Sequence, residues 1–137
     1  MVRRFLLPLL IVAALLLPRW ATAHDLFPGF LELEASGPSN YQMLWKLPLL
    51  QGQELPIAPR FPDDCALNGD WATRREARAL VYRAQLRCRE PLEGRAISID
   101  GLAGAGTAVL LRVKAWQSGS PQTLLIQPER PSAVIPT

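Results

Sequence analysis

The sequence predicts an all-β fold, an immunoglobulin-like antiparallel β-sandwich of about seven strands, and three observations carry that prediction. Several segments alternate apolar and polar residues with a period of two, the pattern of a strand with one buried face. Thirteen prolines and nine glycines are spread along the 137 residues, which suits short strands and tight connections better than helices. Turn-forming clusters separate the alternating segments at the spacing of a sandwich.

The amino-terminal segment stands apart. Met1-Val2-Arg3-Arg4 is a short basic start, and residues 5–17 are thirteen positions that are all apolar or proline. Crossing a bilayer takes about 20 apolar residues, so this run is short for an anchor. Pro18 breaks a helix there, and Ala21-Thr22-Ala23 is the small-x-small pattern accepted by leader peptidase. Residues 1–23 therefore read as a signal peptide, with an uncleaved anchor as the alternative. His24 becomes the first mature residue of a periplasmic protein. The Arg3-Arg4 pair is compatible with twin-arginine export, but the strongly apolar core favours the general route.

Cleavage changes the charge. The whole chain carries +3, and Arg3, Arg4 and Arg19 leave with the leader, so 12 basic residues remain against 12 acidic ones. A neutral body gives no electrostatic support to nucleic-acid binding. The remaining 114 residues are enough for one domain with one core, expected over residues 24–127.

In chain order, Gly29–Ala35 places Leu31, Leu33 and Ala35 on one side of a strand and Phe30, Glu32 and Glu34 on the other. Residues 36–40, Ser-Gly-Pro-Ser-Asn, turn the chain. Residues 41–47 alternate again, with Tyr41, Met43, Trp45 and Leu47 facing inward, which completes a hairpin. Gln51-Gly52-Gln53 is a turn, and residues 54–58 form a short edge strand interrupted by Pro56. Residues 59–70 read as a loop. Residues 71–78 are either a short helix capped by Asp70 or the irregular start of the next strand. Ala79–Cys88 sets Leu80, Tyr82, Ala84, Leu86 and Cys88 on one face and Val81, Arg83, Gln85 and Arg87 on the other. Ala96–Asp100 turns Ile97 and Ile99 inward. Residues 101–106 are a glycine-rich connection, residues 107–116 a strand with Val109, Leu111 and Val113 inward, and residues 122–127 the last strand. Residues 128–137, with three prolines, read as an extended tail.

Taken together, His24 directly after the leader, Pro28-Gly29-Phe30-Leu31-Glu32-Leu33, and Tyr41…Trp45-Lys46-x-Pro48 resemble the extracytoplasmic amino-terminal domain of HupE/UreJ-like membrane proteins. Phe61-Pro62 shortly before Cys65, Cys88 at a strand end, and Ile97-x-Ile99-x-Gly101-Leu102 continue the resemblance over most of the mature chain. Members of that family continue into a bundle of membrane helices associated with nickel or cobalt handling. These 137 residues hold no such bundle. The resemblance therefore implies a sensor or docking domain that contacts a membrane protein partner, and it does not carry transport over.

Residues able to carry chemistry are few. Cys65 and Cys88 are the two cysteines of an exported chain, which points to a disulfide; a two-thiolate metal site is the alternative. His24 is the one histidine. At a new amino terminus its imidazole and α-amine, with Asp25 beside it, could chelate Cu or Ni, although such sites take further donors from the fold. That metal-binding module is the second functional reading. Trp71 and Trp116 are candidates for a partner surface, whereas Trp45 and Tyr82 are expected in the core. Arg74, Arg75, Arg78, Arg83, Arg87 and Arg89 form a basic run, read either as a solvated strand face or as peripheral contact with lipid headgroups or an acidic partner. With one histidine at the terminus, neither a Ser-His-Asp nor a Cys-His arrangement is available inside the fold. No enzymatic activity is expected.

Overall fold

The computed structural model describes residues 3–16 and 27–137, and for residues 69–71 the backbone alone. The body is all-β and sandwich-like. One helix, α1 (Arg3–Leu15), precedes it and contributes no buried residue. No helix among the described residues is long and apolar enough to cross a membrane.

Among the described residues, ten strands form two sheets. The larger sheet contains β1 (Gly29–Ala35), β2 (Asn40–Leu50), β3 (Gln53–Glu54), β5 (Cys65–Arg75), β6 (Ala79–Cys88), β8 (Val109–Lys114) and β9 (Gln122–Ile126), in the order β5-β6-β2-β1-β8-β9 with β3 extending β2. The smaller sheet is β10-β7-β4, built from β10 (Ser132–Val134), β7 (Ala96–Asp100) and β4 (Ala58–Arg60).

The alternating segments fold as expected. The β1–β2 hairpin pairs Leu31 with Trp45 and Leu33 with Met43, all buried. Leu86 of β6, Leu111 of β8 and Ile126 of β9 extend this apolar face, and Ile97 and Ile99 of β7 cover it from the smaller sheet in one core. Every member of that core lies between Leu31 and Ile135. The body therefore closes its core without α1.

Five expectations are corrected. The strand count rises from about seven to ten, because the chain crosses between sheets on short strands too brief to show a period. Residues 54–58 are not one edge strand: β3 finishes a hairpin on β2, Pro56 ends it, and the chain passes to β4 in the other sheet. Residues 59–70 are not a loop, since Ala58–Arg60 pairs with β7 and β5 begins at Cys65. Residues 71–75 continue β5 past a bulge between Asn68 and Ala72, so the helix capped by Asp70 does not form. Residues 128–137 are not a free tail. Arg130 donates to the Gln127 carbonyl at 3.0 Å, turning the chain, and β10 then pairs antiparallel with β7. Ile135 is 1 % exposed and exchanges backbone hydrogen bonds with Gly94 and Arg95. Prolines flank β10 but do not enter it, so its ladder keeps its donors.

The sheet is also not purely antiparallel. β1 runs parallel to β8, from Gly29↔Val109 to Glu34↔Lys114. Val81, expected on the polar face, is buried there between Arg74 and Lys46, its partners in the register. Long cationic side chains cover apolar neighbours with their stems while their charges stay in water.

Candidate functional site: an open cleft between the sheets

Six strands in one layer cannot be covered by three in the other. The shortfall falls at the β5–β6 end, and its cause is local. Ile99 donates its N–H to the Pro131 carbonyl on the β10 side at 2.9 Å. Its register partner on the opposite side is Pro59, so these two form a non-hydrogen-bonded pair and the proline nitrogen faces the free edge of β4. A proline nitrogen has no proton to donate, so the smaller sheet stops at β4.

The inner face of the larger sheet is thereby left open in a cleft of about 610 Å³. Trp45 of β2 and Tyr82 of β6, register partners, form its floor. Leu55 and Ile57 line the small-sheet side, Phe61 and Leu67 the open side, and Glu54 and Asp100 lie at the margin. Trp45 is 2 % exposed, while Tyr82, Phe61 and Leu67 are half-buried. Asp100 is shared with Arg60, whose guanidinium donates to it at 3.0 Å. Apolar walls with polar groups at the margin are the composition of a binding cleft.

One wall is braced by a clamp between two of the connections that cross from sheet to sheet, residues 61–64 and 89–95. Cys65 opens β5, Cys88 closes β6, and the two face each other in the register as a disulfide. Beside them, the Asp64 carboxylate accepts hydrogen bonds from the backbone N–H groups of Arg89 and Glu90, each at 3.1 Å, and from the Arg95 guanidinium. The Arg95 hydrogen bond, aided by that of Glu90, holds the Asp64 carboxyl well below the usual carboxylate range, against an opposing effect of desolvation. Nearby, the buried Tyr41 hydroxyl accepts the Leu92 N–H at 2.9 Å.

The clamp makes acid stability predictable. Asp64 has a lowered pKa in the fold, so its contribution is fully present above the unfolded value of about 4. That contribution is lost as pH falls through the lower, folded value. The melting temperature should therefore drop below about pH 4, and Asp64→Asn should flatten that limb while lowering the melting temperature at neutral pH. Thermal unfolding across pH 2 to 7, followed by circular dichroism, measures both; an unchanged acid limb in the variant would show that other carboxylates govern it.

The structure does not gather the sequence-predicted site residues into one place. His24 and Asp25 lie outside the described residues, as does the side chain of Trp71. Among the described residues no group of three His, Cys, Asp or Glu side chains is arranged to hold a metal. Trp116 follows the end of β8, is 44 % exposed, and is not among the residues lining the cleft. Trp45 is in the core, as expected from its strand face, and Tyr82 packs against that core partly buried; both also line the cleft. Phe61 and Leu67 were not anticipated, and the signal that could have found them is Pro59, which ends the covering sheet. No known family model and no curated protein sequence matches the chain.

Proposed function

We propose that this chain is an exported, periplasmic docking domain that acts by protein contacts with a membrane partner and not by catalysis, the role implied by its resemblance to the amino-terminal domain of HupE/UreJ-like proteins. In this reading its two sheets form an immunoglobulin-like sandwich, with the chain crossing between layers at residues 55–57, 61–64, 89–95, 101–108 and 127–131.

The observation that carries the proposal is the aromatic-floored cleft beside a sheet edge that cannot accept another strand. Main-chain pairing is blocked at Pro59, so a partner engages through side chains inserted against Trp45, Tyr82 and Phe61. Glu54 gives the margin an acidic group, Asp100 there being paired with Arg60. The occupant is accordingly an apolar segment with a basic flank, contributed by a membrane protein. Apolar anchors seated in a pocket carry most of the energy of such contacts.

Site-directed photo-crosslinking in cells tests this. A benzoyl-phenylalanine placed at Phe61 should yield an adduct with an integral membrane protein, whose cross-linked peptide is apolar with adjacent Lys or Arg. The adduct should disappear with Tyr82→Ala, and the same probe at exposed Thr123 should not form it. Adducts confined to soluble proteins or to a second copy of the chain would overturn the reading.

A further inference from the structure

We propose that the outer face of the larger sheet carries a separate surface that lies on a bilayer containing anionic phospholipid. The register sets Arg74, Val81, Lys46, Phe30, Leu110 and Leu125 in one row across that face, from β5 to β9. The row is divided: cations occupy the β5–β2 end, and Phe30, Leu110 and Leu125 occupy the β1–β9 end.

One apolar group of the row and one beside it are conspicuously exposed. Leu125 is 52 % exposed on the edge strand, and Phe27, which shares a cleft with Phe30, Pro48 and Arg78, is 51 % exposed. The Arg78 guanidinium lies 5.0 Å from the centre of the Phe27 ring, placing a cation directly over an exposed aromatic group. Lys46 is paired with Glu76 at 3.0 Å. Among the described residues neither Arg74 nor Arg78 is held in an ion pair.

An apolar strip bordered by cations matches the two layers of a bilayer surface. Aromatic and aliphatic side chains enter the boundary of the acyl region, and the guanidinium groups meet phosphate. Chain connectivity favours the same side: Phe27 begins the body, and residues 18–26 are all that separate it from the apolar segment at residues 5–17. The face bearing Phe27 is thus held near the bilayer while the leader is attached. The cleft between the sheets opens on the inner face of the same sheet, so lipid contact and partner docking use different residues.

The test uses residues 24–137, whose core is complete without α1. Co-sedimentation with phosphatidylglycerol-containing vesicles should be roughly tenfold stronger than with phosphatidylcholine alone, and Arg74→Glu with Arg78→Glu should remove roughly that tenfold advantage. Phe27→Ser with Leu125→Ser should weaken binding to both vesicle types. All four positions are exposed, so the far-ultraviolet circular dichroism should stay that of the parent. Tyr82→Ala, which tests the cleft, should leave vesicle binding unchanged. Binding that ignores the headgroup, or no binding, overturns the proposal. So does a concentration-dependent dimer in sedimentation velocity that Phe27→Ser with Leu125→Ser abolishes, because it assigns the strip to a second copy.

Discussion

Replacing Cys65 and Cys88 together by alanine should cost about 3 kcal/mol of folding stability, the chain-entropy value for a cross-link spanning 23 residues. The bond closes the stretch that contains all of β5 and β6, and these strands form one edge of the larger sheet. It also lies next to the Asp64 clamp, so its loss frees two sheet-to-sheet connections together. Urea denaturation of the double variant should show a lower midpoint, and the wild type in excess reductant should shift by a similar amount. For a domain of this size the melting temperature should fall by about 10 °C or more. A variant as stable as the parent would mean that packing around Leu86 and Leu92 already holds the two connections together.

Gly101→Ala should be comparably damaging, for a reason that composition alone does not reveal. Gly101 follows β7 with φ of 78°, in the left-handed region where a Cβ costs about 1–2 kcal/mol. A Cβ at this position would also overlap the Pro56 carbonyl oxygen. That atom belongs to backbone, in the segment that carries the chain from β3 to β4, and cannot rotate aside. Overpacking of this kind adds about 1–3 kcal/mol, for a total of roughly 2–5 kcal/mol. Because Pro56 and Ile57 line the cleft, the variant should also lose the Phe61 cross-link before it unfolds globally. Thermal unfolding of Gly101→Ala beside Gly104→Ala, a glycine with neither feature, shows whether the loss is specific to this position. Gly104 has open space at the Cβ position, so its variant should stay close to the parent.

The strands legible in the sequence are those long enough to repeat their pattern. Leu31 and Leu33, Tyr41 to Leu47, Ile97 and Ile99, and Val109 to Val113 each place successive buried side chains two apart, and a period of two is a local property of the chain. Apart from the first part of β5, read as a loop, the strands missed have two or three residues, as in β3, β4 and β10. Such segments carry no period, and two of them sit among prolines that by themselves suggest loop or tail. Residues 71–75 were ambiguous because β5 contains a bulge, which resets the alternation midway.

The cleft was legible only in part. Trp45 and Tyr82 were recognisable as aromatic residues on one face, since alternation assigns faces. Whether that face is covered depends on how many strands the opposite sheet has, and this depends on Pro59 lying opposite Ile99, forty residues away in the chain. The outer row of Phe30, Leu110 and Leu125 was invisible for the same reason, because its neighbours come from three separate segments.

By itself, then, the order of residues determined the strand faces, the all-β class, the cysteine pair and the apolar start, all of which follow from local spacing or composition. The tertiary structure alone decided the parallel β1–β8 pair, the return of the carboxy-terminal segment into the smaller sheet, and the opening between the layers. Those features depend on which strands become neighbours, and a strand's own alternation is the same whichever partner it takes.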